Sequence, residues 1–380
     1  MKVMIAVTHL LGTGHLSRAL TLGRAFAAKG HQVQILSGGM PVPQLDHSGV
    51  DLIPLSPLRS DGVNFTRLLT DDGDVASSDY LATRVEAAVI ALNRFAPDVL
   101  ITELFPFGRR VLRSEFLALL KAACALPVKP LIAASIRDIL APPSKPKKAE
   151  QTDTIIADHY DVVLVHSDPQ TTRLEASWPV SNQLASKIQY TGYVAPHEAG
   201  PHPTGAGASE ILVSAGGGSV GQSIFRTAIE AARKTTNRRW RLLVGGQDAP
   251  VLIPQLLQLA QGMPVEIESA RPDFRQMLTH AEASVSMCGY NTTLDLLQAK
   301  TPAVIIPFDD GGEVEQTLRA DSLTHLSGFE VVYSSNLSPD ALLSALDKAI
   351  QAPRRDAATL NFAGAAQTVQ IVQNLKEIAL

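Results

Sequence analysis

The sequence predicts an α/β protein built from two doubly wound, Rossmann-like lobes facing across a cleft, and three observations carry that reading. An apolar stretch, a glycine turn and an amphipathic helix follow one another at residues 3–26 and again at 211–231. Between these openings, residues 195–208 (APHEAGPHPTGAGA) are rich in Pro, Gly and Ala and show no apolar period, as a linker does. The 380 residues, 45% hydrophobic and 18% charged, suffice for two domains with separate cores. The expected division is residues 1–194 as the first lobe, 195–208 as linker, 209–362 as the second lobe, and 363–380 as a helix packing back on the first.

In the first lobe, residues 3–7 lead into Leu10-Leu11-Gly12-Thr13-Gly14-His15, and Leu16, Ala19, Leu20, Leu22 and Phe26 follow at helical spacing. Gly12 and Gly14 lack the third glycine of a dinucleotide fingerprint. The next strand, 33–36, ends in Ser37, Gly38 and Gly39 rather than an acid, which disfavours a nicotinamide enzyme. His15, at a strand-to-helix turn and titrating near neutrality, is either a general base or a cap of the turn. Strand 99–102 ends in Glu103, with Phe105, Phe107, Arg109 and Arg110 beyond it, and strand 131–135 ends in Arg137 and Asp138. Carboxylates and guanidinium groups past neighbouring strand ends can position a hydroxyl and clamp an anion. Glu103 and Asp138 are then alternative bases. The other reading is an Arg–carboxylate pair bracing two loops, with Phe105 and Phe107 as packing residues. Residues 59–79 are acidic without a period and are expected to form a mobile loop over the cleft rather than a metal site.

In the second lobe, strand 211–214 meets Gly216, Gly217, Gly218 and Ser219, small residues that let backbone approach a phosphate closely. Strand 283–287 meets Gly289, after which Tyr290, Asn291, Thr292 and Thr293 open a helix carrying Leu294, Leu296 and Leu297. The free N–H groups at such a helix start favour a diphosphate. Asp295, one turn in, can accept from ribose hydroxyls, or it merely complements the helix dipole while Thr292 caps. Strand 303–307 ends in a polar set that includes Glu313, Glu315 and Gln316.

The strings G-Y-N-T-T-x-D-x-L and P-F-D-D-G-G-E-x-E-Q-T-L-R-A resemble the nucleotide-sugar site of GT-B glycosyltransferases. The resemblance is to the family 28 clan, which holds the N-acetylglucosaminyltransferase that makes lipid II, and within it to a bacterial group of predicted glycosyltransferases. It implies a hexosyl transfer from a nucleotide sugar, a UDP-sugar being expected, to an acceptor hydroxyl, inverting and without a metal or other cofactor. It implies Asp295 at the ribose, Glu315 and Gln316 near the donor sugar, the turn at Gly216 to Ser219 beside the diphosphate, and His15 as base. Gly12, Thr13, Gly14, Phe105, Phe107, Arg109, Arg110 and Arg137 then lie on the acceptor side. A nucleotide-sugar hydrolase or 2-epimerase, or a non-catalytic sugar-nucleotide-binding subunit, would share the fold.

Bulk properties narrow the setting. Cys124 and Cys288 are the only two cysteines, without metal-type spacing, which fits a reducing compartment. No apolar run of membrane-spanning length or cleavable leader is evident, so a cytoplasmic protein is expected. The formal charge of −4 gives no reason to propose nucleic acid as a partner. Residues 109–148 are nevertheless locally basic, and Val111, Leu112, Phe116, Leu117, Leu119 and Leu120 share a predicted helix with Arg110, Arg113 and Lys121. That segment is either a solvated face over ordinary core, or a surface for an anionic or lipid-linked acceptor at the inner membrane face.

Overall fold

The computed structural model describes all residues except 61–66, 216–218, 236, 247, 310–312, 356–359 and 379–380. By its internal contacts the chain forms two compact units, Met1–Pro196 with Asn361–Leu380, and His197–Leu360.

The first unit contains β1 (Lys2–Val7), α1 (Gly14–Ala28), β2 (Gln32–Gly39), β3 (Asp51–Ser60), β4 (Leu68–Leu69), α2 (Ser78–Phe95), β5 (Val99–Glu103) and α3 (Arg113–Cys124). It continues through β6 (Leu131–Arg137), α4 (Pro146–His159), β7 (Val162–His166), α5 (Asn182–Ala185) and β8 (Ile188–Tyr190). The strand order is β4-β3-β2-β1-β5-β6-β7-β8, parallel except where β4 returns antiparallel on β3. Part of the expected loop over 59–79 is therefore strand, because Arg59 pairs with Leu69, and residues 61–66 lie outside the described residues.

Alternation along β1 divides the core. Val3, Ile5 and Val7 face α1, whereas Met4 and Ala6 join the apolar faces of α2, α3 and α4. Central strands are buried at nearly every position, as a parallel sheet covered on both faces requires.

The second unit contains β9 (Glu210–Ala215), α6 (Ser219–Arg233), β10 (Arg239–Val244), α7 (Ala249–Leu259), β11 (Val265–Ser269), α8 (Phe274–Leu278) and β12 (Ala283–Ser286). After these come α9 (Tyr290–Ala299), β13 (Ala303–Ile305), α10 (Glu315–Leu323), β14 (Phe329–Val331) and α11 (Pro339–Gln351). All neighbours in its order, β11-β10-β9-β12-β13-β14, are parallel. The last helix, α12 (Gly364–Ile378), belongs to the first unit, where Val369 and Val372 pack with Leu16, Leu20 and Phe26 of α1.

Each sheet starts at a central strand, proceeds to one edge, and then resumes on the other side of that strand. Strand direction of growth thus reverses between β1 and β5 and between β9 and β12. Ligands of open α/β sheets bind beyond the carboxyl ends of strands at such points.

Candidate functional site

At the first reversal, β1 and α1 are joined by a turn with Gly12 at φ +61°, which glycine adopts without steric cost. The turn places His15 in the first turn of α1, and β5 ends on Glu103. His15 Nδ1 lies 2.9 Å from Glu103 Oε1. The carboxylate also receives Arg18, one turn along α1, and Ser135 Oγ at 2.6 Å. Burial pushes Glu103 up, but the Arg18 guanidinium and the hydrogen bond from His15 outweigh it and hold the carboxyl well below its usual range. An ionised carboxylate only accepts, so His15 Nδ1 carries a proton and Nε2 a lone pair. Burial lowers His15 to about 3 against the opposing pull of Glu103, although 14% of the side chain still reaches solvent. The imidazole is therefore neutral at ordinary pH.

The two alternative bases do not reach solvent. Glu103 is 1% and Asp138 2% exposed; the first serves His15, and the second accepts from the Ile139 N–H at 2.7 Å. Phe105 and Phe107 are core rather than acceptor-side residues: Phe105 stacks on Phe116 at 4.7 Å, and Phe107 meets Trp178 edge-on at 5.1 Å. Thr13 and Gly14 adjoin Gly12 in the turn, with Thr13 exposed. Arg109 donates from Nε to the Thr8 carbonyl at 2.6 Å, Arg137 donates to the Ile139 carbonyl at 3.1 Å, and Arg110 lies over Trp178 at 5.7 Å. The arginines thus brace strand-end loops. The proposed lipid-facing helix is corrected as well. Leu112, Phe116, Leu119 and Leu120 are buried in the core, with Val111 and Leu117 packed against it, because a sheet face needs this apolar cover.

At the second reversal lies a cavity of about 400 Å³, walled by Leu243, Ala270, Phe274 and Met287 and edged by Ser214, Gly289, Thr292 and Gln316. Gly289 is the residue before α9, so the first N–H groups of that helix open beside the cavity. Gln316, in the first turn of α10, accepts the Phe308 N–H at 3.1 Å and ties the start of that helix to the end of β13. Gly216, Gly217 and Gly218 lie outside the described residues, and of Ser219 only its place at the start of α6 is described.

Other donor candidates fall elsewhere. Tyr290 is 7% exposed and lies under the Arg319 guanidinium at 5.8 Å, Thr293 is buried against Cys288, and Asn291 is exposed. Glu313 caps α10 by accepting the Glu315 N–H at 2.6 Å, with Glu315 in the first turn of that helix. Asp295 is not on the wall of the large cavity. Its Oδ1 accepts from Arg275 Nε at 2.8 Å, and Arg275 also donates to Gln298 and to the His197 carbonyl. Burial outweighs Arg275 and raises the Asp295 carboxyl to about 6.

Sequence reasoning missed Arg18, Ser135 and His166 on one side and Arg275 and Arg319 on the other. The spacing from His15 to Arg18 was a usable signal, since residues three apart share a helix face. Among the described residues, no cluster of three His, Cys, Asp or Glu side chains is placed to hold a metal, and no helix is long and apolar enough to cross a membrane.

Residues 212–375 match the model of the Glycosyltransferase family 28 C-terminal domain. A stretch of 145 residues, 37% of the chain, is 30% identical to the Brucella anthropi UDP-N-acetylglucosamine--N-acetylmuramyl-(pentapeptide) pyrophosphoryl-undecaprenol N-acetylglucosamine transferase. The match spans 38% of that relative's length. Among solved structures, MurG of Acinetobacter baumannii aligns over 99% of this chain and 98% of its own at a TM-score of 0.60 and 14% identity. A UDP-GlcNAc 2-epimerase from Methanocaldococcus jannaschii aligns over 98% and 100% at 0.61 and 11%. At such identities the likeness is one of fold. Residues 212–375 are thus similar to the C-terminal domain of glycosyltransferase family 28, and the chain has the two-lobed α/β fold of the GT-B glycosyltransferases.

Proposed function

We propose that the protein transfers a glycosyl group from a nucleotide sugar, a UDP-sugar, to an acceptor hydroxyl, with inversion and without a metal. The match of residues 212–375 to the family 28 domain carries this reading, and the cavity beside Gly289 supplies the donor site. Its apolar walls suit a nucleobase, and the N–H groups at the start of α9 suit a diphosphate. The dyad of His15 and Glu103 supplies the base. His15 Nε2 takes the acceptor proton as the oxygen attacks the anomeric carbon, and the electron pair of the breaking C–O bond leaves on the diphosphate. Glu103 stabilises the imidazolium that forms, opposing part of the burial that disfavours it.

The acceptor is proposed to be anionic or lipid-linked, met at the inner face of the membrane. The basic composition of residues 109–148 supports this, as does the pyrophosphoryl-undecaprenol in the relative's name. The apolar side of α3 does not support it, being core.

A screen of nucleotide sugars against soluble and lipid-linked acceptors, read by mass spectrometry with and without chelator, tests the proposal. Glycosylated acceptor with stoichiometric nucleoside diphosphate is expected, unaffected by chelator. Sugar released or epimerised without an acceptor would instead establish the hydrolase or epimerase reading, for which the fold shared with the 2-epimerase is the observation in favour.

A further inference from the structure

Behind Glu103 the hydrogen bonds continue through the sheet. Ser135 stands opposite Glu103 in the register of β5 and β6 and donates to its Oε2 at 2.6 Å. The same hydroxyl oxygen lies 2.9 Å from Nε2 of His166, the last residue of β7. His166 Nδ1 in turn lies 2.8 Å from Oγ1 of Thr191, just past β8. Ser135, His166 and Thr191 are each 0% exposed.

The chemistry of these groups assigns a direction to the bonds from Glu103 to His166. Glu103 accepts, so the single proton of Ser135 goes to it, and Ser135 Oγ must accept from an Nε2–H on His166. That tautomer leaves a lone pair on Nδ1, and the single proton of Thr191 Oγ1 is shared between this nitrogen and the Gly192 carbonyl, each at 2.8 Å. Burial, with Arg18 adding to it and Glu103 opposing, lowers His166 to about 3, so it is neutral at ordinary pH. On the other carboxylate oxygen, His15 Nδ1–H and Arg18 converge, their nitrogens 3.2 Å apart. Arg109 is the further cation whose field reaches His15.

We propose that Ser135, His166 and Thr191 are positioning residues for His15, a buried chain that fixes the Glu103 carboxylate so that His15 keeps its proton on Nδ1 and its lone pair on Nε2. The proposal deepens the reading of His15 as base and rests on it. With Oε2 held from behind, the carboxylate cannot turn without breaking a buried hydrogen bond, so Oε1 stays aimed at Nδ1.

The test uses the full chain, labelled with ¹⁵N in its histidine side chains, and long-range ¹H–¹⁵N correlation spectra of the ligand-free protein. Two tautomers are expected in the wild type: Nδ1–H at His15 and Nε2–H at His166. Finding His166 as Nδ1–H, or doubly protonated at neutral pH, would overturn the chain. Ser135→Ala should convert His15 to a mixture of tautomers and Ser135→Thr should restore the single one, whereas a folded Ser135→Ala protein with His15 still wholly Nδ1–H would overturn the positioning role. Should Ser135→Ala not fold, Thr191→Val breaks the far link with little change of shape. It is expected to disturb the His166 signals, and unchanged His166 signals count against the proposal. Turnover in Ser135→Ala should fall about tenfold at unchanged donor KM, a part of the roughly 10²–10⁴-fold that a general base supplies. The spectra report on the free protein, so absence of glycosyl transfer would remove the proposed function while the tautomers stood or fell separately.

Discussion

At the reversal point of the first unit, charged and polar side chains crowd around one buried carboxylate; at that of the second, a cavity of about 400 Å³ is walled by Leu243, Phe274 and Met287. The same reversal of strand order is thus equipped in opposite ways. The first has spent its interior on fixing the state of one imidazole. The second leaves a cavity there, whose polar edge is made by Ser214, Arg271, Thr292 and Gln316 together with the N–H groups at the start of α9. Preorganised charge suits a group that moves a proton, and apolar room suits one that must be filled and emptied.

The largest test of this contrast is His15→Ala. Turnover should fall by roughly 10²–10⁴-fold with nucleotide affinity unchanged. Stopped assays paired with calorimetric titration of UDP check it, and equal losses of turnover and affinity would erase the division of labour. Next comes Glu103→Gln, which leaves Arg18, 4% exposed, without its counter-charge. A loss of about 3–5 kcal/mol in unfolding free energy is expected from denaturant titration.

A glycine at each point sharpens the comparison further. A Cβ on Gly38 would run into Thr8 and Arg84, whereas one on Gly289 would meet nothing nearer than Thr292 Oγ1 at 4.0 Å. Gly38→Ala should therefore cost about 1–3 kcal/mol of stability. Gly289→Ala should stay within about 0.5 kcal/mol and weaken nucleotide binding instead, as melting curves and titrations would show.

The smallest effect concerns Asp295. Its folded pKa of about 6 lies above that of the unfolded chain, so the carboxyl stabilises the fold below the unfolded value and loses this as pH rises through about 6. Partial exposure limits the loss between pH 4 and pH 7 to about 1 kcal/mol. Asp295→Asn should flatten that part of the pH–stability curve.

The contrast also explains what the sequence revealed. Glycine turns and strand ends were legible because each is written in adjacent residues: Gly12 to His15, Gly289 to Thr292. The partners were not. Arg18 reaches a carboxylate 85 residues away, and Arg275 reaches Asp295 across two elements, so only the register of the sheet and the packing of helices bring them together. Phe105 and Phe107 sat beside arginines in the sequence, yet burial of aromatic area decided their direction. The Asp295 carboxylate was placed on the right helix, but which side of α9 it faces follows from Arg275, which gives no signal in the local pattern.

The return of α12 to the first unit has a consequence for synthesis. Residues 197–360 form a continuous insertion that can close as soon as it leaves the ribosome, whereas the Leu16, Leu20 and Phe26 side of α1 lacks the part of its cover that α12 supplies until Val369 and Val372 have been translated. The part of the protein made first is therefore finished last. For as long as translation of the intervening residues takes, that apolar stripe is open to a chaperone or to another nascent copy.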